Sequence, residues 1–481
     1  MWNPRRRTAP DPRPARPTLP DAARRALRDI VGADALLTDP ADCLPYGYDN
    51  SRRQAVPEAV VFATAAEQVQ AVLRLCNDHR IPVSARGLGT GTTGATVPER
   101  NGIVLAFERM NRILRIDPAN RIAVVEPGVV NEQLQQAVAA HGFFWPPDPT
   151  SAAVCTIGGN LAYNSAGPRA VKYGTPRENT LGLSAVTGAG ERLRCGVLTT
   201  KGVVGYDLTR LIIGSEGTLA LITEATLKLT PLAEAKRTLR ATYRDIHSAA
   251  DAVAAIMAQP ITPCALEFMD AAAIDMVRRF SDLGVPAETG ALLMIEVDGP
   301  ADCVAAAAEA VSTAARNHGL LDLSIAADRD EIAALWRTRK ALSPALRHVA
   351  PKKINEDVVV PVSRMAEFID GLEQLSRDFA IRIVNFGHAG NGNIHVNLLV
   401  NPDDRDEMAR AERCLSAVFD LVVALGGTLS GEHGVGLEKR DFVDREIDPV
   451  ALRLMRDIKR QFDPNGILNP GKGLPLEQPS P

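Results

Sequence analysis

The sequence predicts an α+β protein built in two parts, and three observations predict it. Up to about residue 234, short apolar runs alternate with amphipathic helical stretches and several glycine-rich turns. From Ala235 the texture changes to strands alternating with Ala-rich helices, as expected of an antiparallel sheet with helices on one face. Within that second part lies Phe386–Asn397, FGHAGNGNIHVN, with Asn391-Gly392 at its centre. Asn-Gly is the strongest short-range hairpin signal, because a type I′ turn needs positive φ at both central residues. The expected divisions are a disordered Pro/Arg-rich tail over 1–20, a first domain over 21–234, a second over 235–425, and a C-terminal segment over 426–481.

Composition narrows the function classes. The chain of 481 residues has 46% hydrophobic and 23% charged residues and a net charge of −4, which points to neither nucleic acid nor an acidic membrane surface. Its seven cysteines are scattered, which argues against Fe–S clusters and structural zinc and fits reduced thiols in a cytoplasm. No run approaches the roughly 18 apolar residues of a membrane span. The first 20 residues combine Arg5-Arg6-Arg7 with prolines and lack an apolar h-region, unlike a signal peptide.

In chain order, Ala22–Ile30 reads as a helix, Ala59–Ala63 as a strand, Ala65–His79 as an amphipathic helix and Ile81–Ala85 as a second strand. The next stretch, Arg86–Pro98, contains Gly89, Gly91 and Gly94 in a G-x-G-x-x-G spacing. A dinucleotide fingerprint needs a helix to begin on those glycines, whereas here Pro98 and a strand, Ile103–Phe107, follow. The loop reads instead as a nest of backbone N–H groups, with the hydroxyls of Thr90, Thr92 and Thr93, closing on a pyrophosphate; a glycine-rich loop without ligand is the alternative. A hairpin (Ile113–Ile116, Ile122–Glu126) and a helix (Asn131–His141) lead to Phe143–Gly174, dense in proline, glycine and small polar residues. Gly158 and Gly159 would allow close backbone approach to a large flat ligand, while Ser151, Thr156, Asn160, Asn164 and Ser165 offer hydrogen bonds. Leu181–Thr187 and Leu193–Cys195 flank a turn, and Gly205–Leu229 gives a short helix, a Gly-Ser-Glu-Gly turn and a long strand.

The second part reads as strands Thr238–Tyr243, Cys264–Phe268 and Ala291–Val297 between helices Ile246–Ala258, Ala271–Phe280 and Ala301–His318. A long helix around Glu331–Val349, a strand Ile354–Val360, a helix Arg364–Asp378 and the hairpin follow, then helices Arg405–Leu425 and Pro449–Phe462. If Asn391-Gly392 forms a two-residue loop, His388 falls opposite His395, close enough for both imidazoles to share one metal ion, and Asn397 points to the same face. The alternative is a pair of structural strand histidines. Gly431–Gly436, GEHGVG, places Glu432 and His433 in a glycine-rich loop. Glu432 would complete a His-His-carboxylate set and His433 would be free as a general base; a solvated Glu-His turn is the alternative. On the helix of Leu335–Ser343, Arg339 and Ser343 share a face, with Arg339 suited to carboxylate recognition or simply exposed.

Together these motifs resemble the FAD-dependent D-2-hydroxyacid dehydrogenases, the group containing D-lactate dehydrogenase, the glycolate oxidase flavin subunit and D-2-hydroxyglutarate dehydrogenase, within the vanillyl-alcohol oxidase/p-cresol methylhydroxylase superfamily. The resemblance runs from about Pro57 to Lys472 and is most specific in Arg86–Pro98, Pro147–Gly174, Gly214–Leu219, Gly387–Asn397, Gly431–Gly436 and Asn465–Lys472. It implies a two-part FAD-binding domain of the p-cresol methylhydroxylase type plus an α+β substrate (cap) domain with an antiparallel sheet. It implies non-covalent FAD held by Arg86, Gly87, Gly89, Thr90, Gly91, Thr92, Gly94, Pro149, Ser151, Thr156, Gly158, Gly159, Asn160, Asn164, Ser165, Gly167, Glu216, Gly217, Ile222 and Asn469. The metal ligands carry over to His388, His395 and Glu432 (zinc, manganese or iron), the base to His433, and the carboxylate clamp to Arg339. Ser343, Asn397 and Lys353 are the further substrate contacts. Two departures stand out: Asn355 occupies the position of a family Lys in a K-x-D pattern, with Lys352 and Lys353 nearby, and Ser343 stands where a Thr is expected.

The implied function is oxidation of a D-2-hydroxy acid to the 2-oxo acid by hydride transfer to flavin. Loss of the matched Lys tilts the substrate toward a short monoacid, D-lactate, over D-2-hydroxyglutarate or glycolate. A flavin reductase using a nicotinamide donor is a rival within the superfamily, and a metal-dependent hydrolase a rival from another class. Electrons would pass to a soluble or membrane-surface acceptor (quinone, cytochrome or carrier protein). The expected setting is the cytoplasm or the inner face of the membrane, with a homodimer as an option and no nucleic-acid partner.

Overall fold

Val69, Val72, Leu73 and Cys76, spaced one helical turn apart, are fully buried along one face of the helix Ala66–His79. That helix connects strand β2 (Ala59–Phe62) to β3 (Val83–Arg86); β4 (Ile103–Ala106) lies between them, parallel to both, and β1 (Leu36–Leu37) adds antiparallel to β2. Parallel strands need cover on both faces, and every residue of β2 and β4 is buried. The structure is a computed structural model and describes residues 19–279, 284–326, 328, 330–333, 335–337, 342, 346 and 350–476. Residues 1–18 of the expected tail, Arg339 and Ser343 lie outside this set, as does most of the helix expected around Glu331–Val349.

A second, antiparallel sheet runs β5-β6-β10-β8-β9, comprising β5 (Ile113–Asp117), β6 (Ile122–Val125), β8 (Thr180–Thr187), β9 (Arg192–Gly196) and β10 (Ala220–Lys228). Two short strands, β7 (Phe143–Phe144) and β11 (Thr230–Pro231), pair beside it. Trp145, Ile157, Leu161, Leu183 and Leu227 pack the core over this sheet. The stretch Phe143–Gly174, read from sequence as an irregular lining, contains a helix at Ile157–Tyr163. Thr156 caps it by accepting from the Gly159 amide at 3.2 Å. Gly158 and Gly159 mask the helix in the sequence because glycine is a poor helix former. Gly158 is nonetheless required, since a Cβ there would stand 2.6 Å from Pro127 Cβ.

These sheets belong to one compact unit, made of the described residues up to Ala166, Thr175–Leu232 and the chain from Glu432 onward. Its C-terminal segment threads back into the interior. Lys472 is buried and donates to Ala95 O (2.8 Å), Asn469 Oδ1 (3.1 Å) and Ser84 Oγ (3.2 Å). Burial pushes its ammonium down to about 7, against the pull of the carboxylates of Asp49, Glu99 and Glu216.

Gly167–Gly174 and Ala233–Gly431 form the other unit. Its antiparallel sheet has the order β15-β12-β14-β13-β17-β18-β16. The strands are β12 (Ala235–Tyr243), β13 (Ala265–Asp270), β14 (Ala291–Gly299), β15 (Leu320–Ile325), β16 (Lys352–Val359), β17 (Arg382–His388) and β18 (Asn393–Val400). Helices Ile246–Ala258, Val304–Ala314, Met365–Phe379 and Arg405–Ala424 pack on the sheet. Asp245 and Asp404 cap the first and last of these by accepting amides of their opening turns. The expected single helical face is exceeded, because helix Ala271–Arg278, with Leu342 and Leu346, buries Met269, Met294 and Phe386 on the other side. Edge strand β15 escapes the sequence reading because its residues are half-buried, which blurs the two-residue period.

The hairpin forms, but in a different register. Ala389–Asn391 make a 3₁₀ turn and only Gly392 has positive φ (+68°), so the loop has four residues rather than a two-residue type I′ turn. His388 therefore pairs with Asn393, and His395 faces Phe386. A Cβ at Gly392 would lie 1.9 Å from Val360 O. Gly392→Ala should thus lower stability by at least about 1–3 kcal/mol from backbone strain alone, read as a reduced denaturant midpoint.

The buried lysine gives a pH signature. In the unfolded chain Lys472 ionises near 10.5 and in the folded one near 7, so between these values the unfolded chain binds the extra proton. The destabilisation is full below about 7 and is relieved as pH rises, by at most about 1.4 kcal/mol per pH unit for one group. The melting temperature of the wild type should therefore gain on that of Lys472→Met between pH 7 and 9; parallel curves would refute it.

Candidate active site

Strand β3 ends on Arg86, where the polypeptide enters the glycine-rich loop. The Arg86 guanidinium turns back beneath this loop, donating to Tyr48 O (2.7 Å) and Pro45 O (3.2 Å), with the Tyr46 and Tyr48 rings 5.7 and 6.0 Å away. Its burial lowers the guanidinium's proton affinity. Asp49 ties down the loop's far end, its Oδ2 accepting from the Gly94 amide at 2.9 Å, while Asn50 bonds the carbonyls of Thr90 and Gly91. Gly91 is held close to helix Ile157–Tyr163: a Cβ there would come 2.4 Å from the Tyr163 hydroxyl.

Between this loop and the second sheet's core opens a cleft. Of the residues expected to hold a cofactor, Arg86, Gly87, Thr156, Gly158, Gly159, Glu216, Gly217, Ile222 and Asn469 line it. Ala85, Phe107, Pro127, Tyr163 and Leu221 make the rest of the wall largely apolar. Ser215 Oγ, buried in the wall, has no hydrogen-bond partner among the described residues. A mostly apolar cleft with few polar points suits a flat aromatic cofactor.

Other expected cofactor residues support the cleft through bonds of their own. Asn160 Oδ1 accepts from Asn131 at 3.0 Å, and Asn164 Oδ1 accepts from Thr175 Oγ1 at 3.0 Å. The carbonyls of Pro149 and Ser151 close local turns with Ala152 and Val154. Gly167 falls in the other unit.

The GEHGVG loop is fastened from below by Glu216. This carboxylate is buried and accepts the amides of Val435 at 2.5 Å and Gly436 at 2.8 Å; burial raises its pKa and those two bonds oppose the rise. The carbonyl of Glu216 takes the Asn469 side-chain amide at 2.6 Å. Within the same loop Ser165 Oγ donates to Glu432 O (3.4 Å), Thr93 Oγ1 to His433 O (3.5 Å), and His433 Nε2 lies 3.9 Å from Glu432 Oε1. His433 is partly exposed, 23% at the side chain.

In the second unit His388 and His395 lie on one face of the sheet, both buried, with rings 5.2 Å apart in an edge-on arrangement. One nitrogen from each lies within 4.8 Å of the other. His388 Nδ1 is hydrogen-bonded to Glu267 at 2.5 Å, and Glu267 is its register partner on β13. Asp357 is the register partner of His395; its Oδ2 accepts the Gly431 amide at 2.9 Å, so this unit's last residue is anchored beside His395. Glu432 is the next residue in the chain. Asn397 is fully buried, its Nδ2 donating to Val384 O and His395 O and its Oδ1 accepting from Asn355 Nδ2 at 2.6 Å. Lys352 and Lys353 begin β16, the first buried and the second half-buried.

The sequence reading passed over Glu267 and Asp49, and met Asp357 only as the Asp of the K-x-D pattern that Asn355 interrupts. Only Glu267 left a clear trace, as a carboxylate in the middle of the apolar strand ALEFMD, where an acid needs a specific partner.

Residues 57–196 match the FAD binding domain family, and residues 232–473 the family described as FAD linked oxidases, C-terminal domain. The chain is 38% identical to the glycolate oxidase subunit GlcD of Bacillus subtilis, over 93% of this chain and 96% of that protein. It is 35% identical to a D-lactate dehydrogenase of Anaerostipes hadrus (87% and 90% covered) and 33% to a D-2-hydroxyglutarate dehydrogenase of Stutzerimonas stutzeri (93% and 97%). Among solved structures, p-cresol methylhydroxylase with substrate bound shares the fold, with a TM-score of 0.78 at 19% identity over 96% of this chain and 98% of that one. The chain therefore belongs to the FAD-linked oxidases, as a flavoprotein oxidoreductase of the D-2-hydroxyacid dehydrogenase family.

Proposed function

We propose that this flavoprotein oxidises a short D-2-hydroxy acid, D-lactate foremost, to the 2-oxo acid with the help of a divalent metal ion. The observation that carries the metal part is the buried imidazole pair, with ligand-capable nitrogens within 4.8 Å on one sheet face. Two buried histidines and a carboxylate suit zinc, manganese or iron(II), and His388, His395 and Glu432 would hold it. When bound, the flavin supplies the two-electron acceptor and the metal ion polarises the substrate's carboxylate and hydroxyl oxygens.

The chain's own groups do the rest. His433 takes the proton of the 2-hydroxyl on its imidazole, a role that needs a partly exposed ring on a fixed backbone; both conditions hold. Arg339 would pair with the substrate carboxylate, with Ser343 on the same helical face. The amide of Asn355, where diacid-using relatives are expected to carry a lysine, is spent on Asn397. A cation for a second carboxylate is thus missing at that position, which favours a monoacid; Lys353 is the nearest candidate to serve a longer substrate. No helix among the described residues is long and apolar enough to cross a membrane, and the proposed electron acceptor is a soluble carrier, a partner protein or a quinone reached from the surface.

Three outcomes follow. Mixed anaerobically with a panel of 2-hydroxy acids, the purified yellow protein should lose its flavin colour with D-lactate fastest and not with the L-enantiomer; a colourless protein, or one indifferent to every acid, would overturn the assignment. His433→Ala should reduce kcat by about 10²–10⁴-fold while retaining its flavin, and near-normal turnover would remove His433 from the reaction. Dialysis against a chelator should abolish turnover and a divalent ion restore it, with unchanged turnover counting against the metal.

A further inference from the structure

We infer that Glu267 is the positioning residue of the metal site: it fixes the tautomer and orientation of His388 so that ligation goes through Nε2. The inference rests on the metal reading proposed above and adds a residue to it that touches no ligand itself. Glu267 sits in the middle of β13, 2% exposed, with Leu266 and Phe268 buried on either side. An ionised carboxylate in such a place is costly unless a donor meets it, and the donor is His388 Nδ1, at 2.5 Å.

The backbone enforces the encounter. Glu267 and His388 are direct register partners across β13 and β17, so both side chains leave the same face of the sheet side by side. A neutral imidazole holds one N–H and one lone pair. With Nδ1–H donated to the carboxylate, the lone pair is confined to Nε2, and rotation of the ring is resisted by a charge-assisted bond. Such carboxylate–histidine pairs commonly stand behind metal-bound histidines, and removing the carboxylate typically weakens metal affinity 10–100-fold. Asp357, the register partner of the other imidazole, accepts from Ser430 Oγ at 3.2 Å and from the Gly431 amide at 2.9 Å.

The test measures metal rather than turnover. Wild type, Glu267→Ala and Glu267→Gln, each purified as the full chain with flavin, are stripped of metal and titrated with Zn²⁺ alone against a chromophoric chelator. Zn²⁺ affinity should fall about 10–100-fold in Glu267→Ala. Glu267→Gln, which keeps an acceptor oxygen but no charge, should fall between that variant and the wild type. In a His388→Ala background Glu267→Ala should change nothing further, because its effect runs through that ring; a general packing defect would add its own loss. Variants that bind Zn²⁺ as tightly as the wild type overturn the inference and leave the metal site standing. A wild type that takes up no divalent ion overturns both. Should Glu267→Ala fail to fold, an undiminished affinity in Glu267→Gln is enough to overturn it.

Discussion

A single buried carboxylate holds the first unit's GEHGVG loop in place. Half of Gly431–Gly436 is glycine, and the amides of Val435 and Gly436 need acceptors once they are turned inward. Glu216 supplies both from one side chain, and a buried acceptor that satisfies two amides is far more costly to lose than to form. The residue itself adopts positive φ (+52°) between Ser215 and Gly217, so the Gly-Ser-Glu-Gly turn serves two ends. Its backbone bends around the cleft, and its side chain reaches through to the loop that carries His433. Asn469, also at positive φ (+41°), closes the arrangement by bonding the Glu216 carbonyl and accepting from Lys472.

This explains why distant sequence motifs occur together. Arg86–Gly94, Gly214–Gly217, Gly431–Gly436 and Asn469–Lys472 lie apart in the chain, yet each is bonded to another. Asp49 meets Gly94, Lys472 meets Ala95 O and Ser84, and Glu216 meets Val435. The consequence is a polar layer inside the unit whose members cannot be exchanged singly, because a half-satisfied buried network is worse than an apolar core. The burden of Lys472, a buried ammonium with lowered proton affinity, is tolerated because three acceptors surround it.

Most regular elements were legible because their burial follows a clean period. Helix Ala66–His79 could be placed to within a few residues from its apolar spacing, and strand β18, buried throughout, from its apolar run beside the Asn-Gly turn. Helix Ile157–Tyr163 was not, because its glycines are there for close packing and not for helix propensity. Strand β15 was hidden by its half-exposed edge position. For the site, the glycine-rich loops and the histidines declared themselves by type and spacing. The residues that fasten them, Glu267, Asp49 and Asp357, did not, since a carboxylate's partner is set by strand order and register, which no local pattern encodes. The side-chain duties of Asn160, Asn164 and Asn397 were invisible for the same reason.

The hairpin shows why one misreading of geometry still left the two imidazoles on one face. A two-residue loop would have set His388 against His395, whereas the four-residue loop sets it against Asn393. The difference moves the partner by two positions along β18, and on a pleated strand two positions return to the same face. The histidines are therefore diagonal neighbours instead of direct ones, at a spacing of 7–8 Å between α-carbons on general grounds, and their rings lean together to 5.2 Å. A slip of one residue would have sent one imidazole into the helical layer and dissolved the pair. The four-residue loop also sets Phe386 against His395, while the separate pairing of β17 with β13 stands Glu267 beside His388. Loop length, through the parity of strand pairing, decides whether two histidines seven residues apart can act together.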